Sequence, residues 1–182
     1  MKPTLADLER LVVEAETAPP ENAVSAWAEL AALEADPLIA STAEGAYLLG
    51  YANYQIGPDA PGHLDRATQL FRAALMFEPN HLYARLYLGH VAFDQGLYVE
   101  ALSHFDQLES QAFSKVGQGW RDLKRQELRI CCLLHLNSVR NLVFEFEKFL
   151  ELASEVGAAG RLSVHELPSL MQSAFGLSRH AA

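Results

Sequence analysis

Leu82-Tyr-Ala-Arg-Leu-Tyr-Leu88-Gly89-His-Val-Ala-Phe-Asp-Gln-Gly96-Leu97-Tyr98-Val-Glu-Ala101-Leu-Ser-His-Phe105-Asp-Gln-Leu108-Glu109 is the stretch that decides the fold. Two short amphipathic runs flank a break at Asp94-Gln95-Gly96. Small residues, Gly89 and Ala101, stand where the two runs have to touch. This pattern predicts an antiparallel helical hairpin, because apolar residues recur at helical spacing on either side of a turn signal.

A near copy lies upstream. Ala67, Phe71 and Ala74 correspond to Ala101, Phe105 and Leu108, each 34 residues on. Gly50 and Gly89 are 39 apart, and the difference matches an extra loop, Pro58-Asp-Ala-Pro-Gly62, between the two helices of the earlier hairpin. Self-similarity at such a period marks a helical-repeat array, whose units bury their faces only on neighbours.

Here the sequence resembles the tetratricopeptide repeat family. The family's Leu-Gly pair appears as Leu49-Gly50 and Leu88-Gly89, its Ala-x3-Phe as Ala67/Phe71 and Ala101/Phe105, and its closing proline as Pro79. The match covers residues 41–111 and departs elsewhere. The family's Trp is replaced by Ala46 and Arg85, and its Tyr by Asn53 and Ala92. Trp120-x2-Leu123 recovers part of the pattern, with Lys124 where glycine is expected. The resemblance implies an all-α, short right-handed solenoid of antiparallel hairpins with a C-terminal capping helix. Its parts are a degenerate hairpin over 1–40, clear repeats over 41–80 and 81–111, a divergent repeat over 117–157 and a last helix over 161–177.

Local signals fill in the rest. Thr4 and Asp7 form a capping box ahead of Leu5, Leu8, Leu11, Val12 and Ala15. Pro19 and Pro20 stop that helix. A second helix runs from about Glu21 to Ala35 and buries Val24, Trp27, Leu30, Ala31 and Leu33. Ser41-Thr-Ala-Glu44 reads as another capping box. Asn137 and Ser138 are candidate N-caps for a helix running to Val156. No segment alternates with period two, so no sheet is expected.

Composition narrows the function. Fourteen Lys and Arg against 23 Asp and Glu leave a net charge of −9, which argues against nucleic acid, whose phosphates need clustered cations. The longest apolar run, Ile130-Cys-Cys-Leu-Leu134, falls far short of the ~20 residues of a membrane span. Met1-Lys2-Pro3 leads into Asp7, Glu9 and Arg10 rather than an apolar signal core, so a soluble cytoplasmic protein is expected. The two cysteines, Cys131 and Cys132, are adjacent in a helical run and default to buried thiols.

Three candidate sites emerge. In the family the first helix of each hairpin lines a concave groove, which implies Glu44, Tyr47, Tyr51 and Tyr54, then Tyr83, Leu86, His90, Phe93 and Asp94. Aromatic residues are enriched where proteins bind proteins. Against this stands simple packing on the neighbouring hairpin, notably for Tyr54 and Phe93. Arg121, Arg125 and Arg129 recur every four residues and could clamp partner carboxylates, or could pair with Asp122, Glu127 or the acidic run Glu145, Glu147 and Glu151. The groove positions are mostly Tyr, Leu and His, so the carboxylate clamp of some family members is not carried over.

Cys132 and His135 share one helix and could in principle hold a metal or form a catalytic pair, but no further ligands accompany them. No Gly-rich phosphate loop, nucleophile elbow or paired-His motif is present. The expectation is therefore a non-enzymatic module, without cofactor or metal, that binds another protein or peptide segment. Two roles fit it: an immunity or inhibitor protein for a toxic effector, or a dedicated chaperone for a secreted protein. The alternative of another class is an enzyme with an unrecognised site near Cys132 and His135.

Overall fold

The structure, a computed structural model, describes residues 4–33, 37–57, 61–138, 140, 142–157 and 166–167. It is all-helical, with no strand among the described residues. The chain divides into two compact units, Met1–Asp94 and Gln95–Ala182. The first holds α1 (Leu5–Thr17), α2 (Pro20–Ala32), α3 (Pro37–Ala40), α4 (Ala43–Ile56), α5 (His63–Phe77) and α6 (Leu82–Asp94). The second holds α7 (Tyr98–Asp106), a 3-10 turn at Ser114–Val116, α8 (Gly119–His135) and α9 (Leu142–Val156). The division runs through the Leu82–Glu109 stretch and leaves its two arms in different units.

Helix starts follow local chemistry. Thr4 Oγ1 accepts from the Asp7 N–H, and the Asp7 carboxylate accepts from Thr4 N–H, closing the capping box that the sequence predicts. The Thr4 hydroxyl also donates to the Asp7 carboxylate, at 2.7 Å, and this bond together with that from the Thr4 N–H holds the Asp7 carboxyl below its usual range. Pro20 stands at the first position of α2, where a missing N–H matters least. The cap of α4 is Thr42, not the Ser41–Glu44 box: Thr42 Oγ1 accepts from Gly45 N–H at 3.0 Å. The short α3 sets this register, because it ends at Ala40 and its Ile39 carbonyl accepts from the Thr42 hydroxyl at 3.2 Å. Glu44 is thereby released to pair elsewhere.

Asn137 likewise ends α8 instead of opening α9. It adopts φ +52°, with Ser138 N–H donating to Leu133 and Asn137 N–H to Leu134. Asparagine tolerates this left-handed turn better than most residues. α9 is described over Leu142–Val156. Of the expected last helix, Glu166 and Leu167 are helical; its other residues lie outside the described ones.

α4 is the axis of the first unit. Every residue from Gly45 to Asn53 is buried, as a helix apolar around its circumference requires. It packs against α2, α5, α1 and α6. Leu8, Val12 and Ala15 of α1, with Trp27 and Leu30 of α2, close one side. Val24, expected inside, is 57% exposed: the stripe Ala23, Trp27, Leu30 turns inward and carries Val24 past its edge. On the other side Ala67, Phe71 and Ala74 of α5 are all fully buried. Gly50 belongs to this contact, since a Cβ there would stand 2.8 Å from the Phe71 ring.

α8 is the axis of the second unit, by a different chemistry. Asp122 to Leu128 are all buried, although this run is Asp-Leu-Lys-Arg-Gln-Glu-Leu. Polar groups inside a protein must find partners there, and most of these do. Asp122 accepts from Phe113 N–H (3.0 Å), Ser114 N–H (2.7 Å) and the Ser114 hydroxyl (3.0 Å), anchoring the 3-10 turn. Gln126 donates to the Glu145 backbone and carboxylate, tying α9 on. Lys124 pairs with Glu127 at 2.9 Å.

Candidate functional site

The first unit contains a ladder of aromatic rings between α4 and α6. Tyr47, Tyr51 and Tyr54 on α4 have the same spacing as Tyr83, Tyr87 and His90 on α6, so each set falls on one helical face. The rungs are Tyr47–Tyr83 (centroids 5.5 Å, stacked), Tyr51–Tyr87 (5.0 Å) and Tyr54–His90 (6.3 Å, edge-on). Because the rungs rise in the same order along both helices, α4 and α6 run parallel here, with α5 returning between them. Trp27 meets Tyr51 edge-on at 5.3 Å, and Phe71 stacks on Tyr87 at 5.8 Å.

The ladder has an inner and an outer margin. Tyr47, Tyr51 and Tyr87 are about 5–7% exposed, and Leu86 is buried. Tyr54, Tyr83, His90 and Phe93 are half-buried, and Asp94 is exposed. Sequence spacing alone singled out Tyr83 and His90 but passed over Tyr87 and His81. The repeat of the Tyr-x3-Tyr-x2 spacing on α6 was the signal for Tyr87.

Carboxylates terminate the ladder. Tyr51 Oη donates to Glu16 at 2.9 Å, and Tyr54 Oη donates to Asp94 at 2.9 Å. Burial, with Tyr87 and the Glu16 charge beside it, pushes the Tyr51 hydroxyl far above its usual range, so it stays a donor. His81, buried at the start of α6, accepts from Ala84 N–H through Nδ1 at 3.2 Å. That bond leaves the proton on Nε2, which faces Glu44 at 3.2 Å. Glu44, Glu78, His81 and Tyr83 line a cleft of 210 Å³ at this end.

The arginine row is in the second unit and is paired within it, although the buried Arg125 Nε makes no hydrogen bond. Arg121 donates to Gln118 and lies 4.4 Å from the centre of the Trp120 ring. Arg125 is 7% exposed, paired with Asp122 at 3.2 Å and donating to the Glu109 carbonyl at 3.0 Å. Burial draws its pKa down and Asp122 opposes that. Arg129 pairs with Asp106 and, at 3.3 Å, with Glu145. Burial raises the Glu145 carboxyl, but the bonds from Gln126 and Arg129 outweigh it and hold it below the usual range. Arg125 and Arg129 line a cleft of 260 Å³ with Phe105, Leu108, Lys148 and Glu151.

Cys131 and Cys132 are buried free thiols. Burial pushes both up to about 12, Cys131 also through Glu127 and Glu166. A thiol so held is not a nucleophile near neutral pH. His135 is exposed and stacks on Tyr98, centroids 4.3 Å apart and 3° from parallel. Among the described residues no group of three or more His, Cys, Asp or Glu is placed to hold a metal ion, and no helix is long and apolar enough to cross a membrane. The chain matches no protein-family model and no curated protein sequence.

Proposed function

We propose that the protein is a non-enzymatic binding module of tetratricopeptide type that takes a segment of another protein along the outer margin of the aromatic ladder. The observation that carries this is the row of half-buried Tyr54, Tyr83, His90 and Phe93, backed by fully packed rings. Aromatics fixed from behind offer contact area at little further ordering cost, which is what binding hot spots need. Glu44, Glu78 and Asp94 around this margin, within a chain of net charge −9, favour a basic and apolar segment. Occlusion of a basic toxic effector, the role of an immunity protein, fits that chemistry.

The test takes the partner captured by the chain in its native host and measures affinity for parent and variants. Tyr83→Ala with Phe93→Ala is expected to weaken binding by roughly 2–4 kcal/mol, the span of two hot-spot truncations, with unchanged helical content. Unaltered affinity would refute the site. A captured secretion substrate in place of a toxin would select the chaperone role. Cys132→Ser with His135→Gln is expected to leave binding unchanged in a folded protein; loss of function there would favour an enzyme.

A further inference from the structure

Glu127 of α8 is fully buried, and a carboxylate in that position must have both oxygens partnered. One accepts from Lys124 Nζ at 2.9 Å. The other accepts from the backbone N–H of Leu167, also at 2.9 Å, a residue 40 positions downstream. Lys124 in turn pairs with Glu166. Leu167 is 4% exposed. Two consecutive residues thus meet α8 through an ion pair and a backbone hydrogen bond, and the second of them buries its apolar side chain.

This chemistry differs from that of an ordinary core contact. Well-packed apolar groups hold a permanent segment at least as well as a buried ion pair, whose best-attested use is to fix register or to serve a switch. Each element at α8 also reads one feature of a ligand. Lys124 reads a carboxylate, Glu127 reads the next residue's N–H, and that residue's apolar side chain is buried. Lys124, Glu127 and Cys131 are spaced i, i+3, i+7 and so share one face of α8. The Glu127 and Glu166 charges both act on the Cys131 thiol, which is 1% exposed.

We propose that the Lys124–Glu127 face of α8 is an exchangeable docking seat for an acidic residue followed by leucine, filled in cis by Glu166–Leu167 and open to a partner segment of the same chemistry when that pair lifts. The seat is in the second unit and does not depend on the aromatic ladder.

Cys131 reports occupancy. In the full chain with Cys132→Ala, which leaves one thiol, labelling by a thiol reagent is expected to be slow. Adding Glu166→Ala and Leu167→Asp should speed it by at least about tenfold, as local opening replaces a covered state. Excess synthetic peptide spanning residues 161–173 should then restore slow labelling, and Lys124→Glu should abolish that rescue. Labelling that does not speed up, or that the peptide does not slow, overturns the proposal. Should the release variant fail to fold, amide exchange on the parent chain decides. A Leu167 amide that exchanges ahead of the α8 amides supports a separable seat; exchange in one event with α8 overturns it.

Discussion

Asp122→Ala is expected to destabilise the second unit by about 3–5 kcal/mol, the range for removing one partner of a buried ion pair. Three donors converge on Asp122, two of them the backbone N–H groups of Phe113 and Ser114, and all three lose this acceptor once the carboxylate is gone. Arg125 would be left at 7% exposure without its carboxylate. The two tryptophans make the measurement selective, since Trp27 belongs to the first unit and Trp120 to the second. In a Trp27→Phe background, urea unfolding followed at Trp120 should show the loss. Asp122→Asn, which keeps an acceptor but not the charge, should fall between. A loss below about 1 kcal/mol for the alanine variant, no more than a single exposed pair contributes, would show that α8 does not depend on its internal pairing.

Phe71→Ala is expected to cost about 3–5 kcal/mol in the first unit, read at Trp27. The ring is fully buried, stacks on Tyr87 and lies within 6.3 Å of Tyr47, so its loss opens a cavity behind the ladder. Gly50 makes the contact specific. Gly50→Ala alone should destabilise, because its Cβ would stand 2.8 Å from the ring, yet the same change should be better tolerated with Phe71→Leu. Additive losses in that double variant would place the strain elsewhere.

The first unit was largely legible in the sequence because its signals are local or periodic. Thr4 and Asp7, the prolines that stop α1, and the Gly50–Ala67–Phe71 set are all signals that lie in local sequence or spacing. What escaped was decided by competition between neighbours. Ser41 and Thr42 both suit an N-cap, and only the end of α3 at Ala40 selects Thr42. Asn137 suits either end of a helix, and its positive φ assigns it to the C-terminus of α8.

α8 was the harder case. Its arginines at every fourth position resemble a solvated face; the sequence offers Asp122 and Glu145 as partners, and Arg125 and Arg129 take them, but neither the Asp106 pairing nor the burial of Arg125 is carried by a helix wheel. The aromatic residues show the same limit in reverse. Spacing brought Tyr47, Tyr51, Tyr83 and His90 onto one face, but whether a ring backs the ladder or forms its margin depends on α2 and α5. Trp27 and Phe71 supply that backing, which leaves Tyr54, Tyr83, His90 and Phe93 as the margin.

The most direct test of the proposed function is site-specific photo-crosslinking of the captured partner to this margin. A photoreactive residue at position 83 is expected to yield an adduct with the partner, while one at Val24, exposed on α2, is expected to yield none. Adducts at position 24 with none at 83, in a chain that still binds, would contradict the assignment of the aromatic margin as the binding surface.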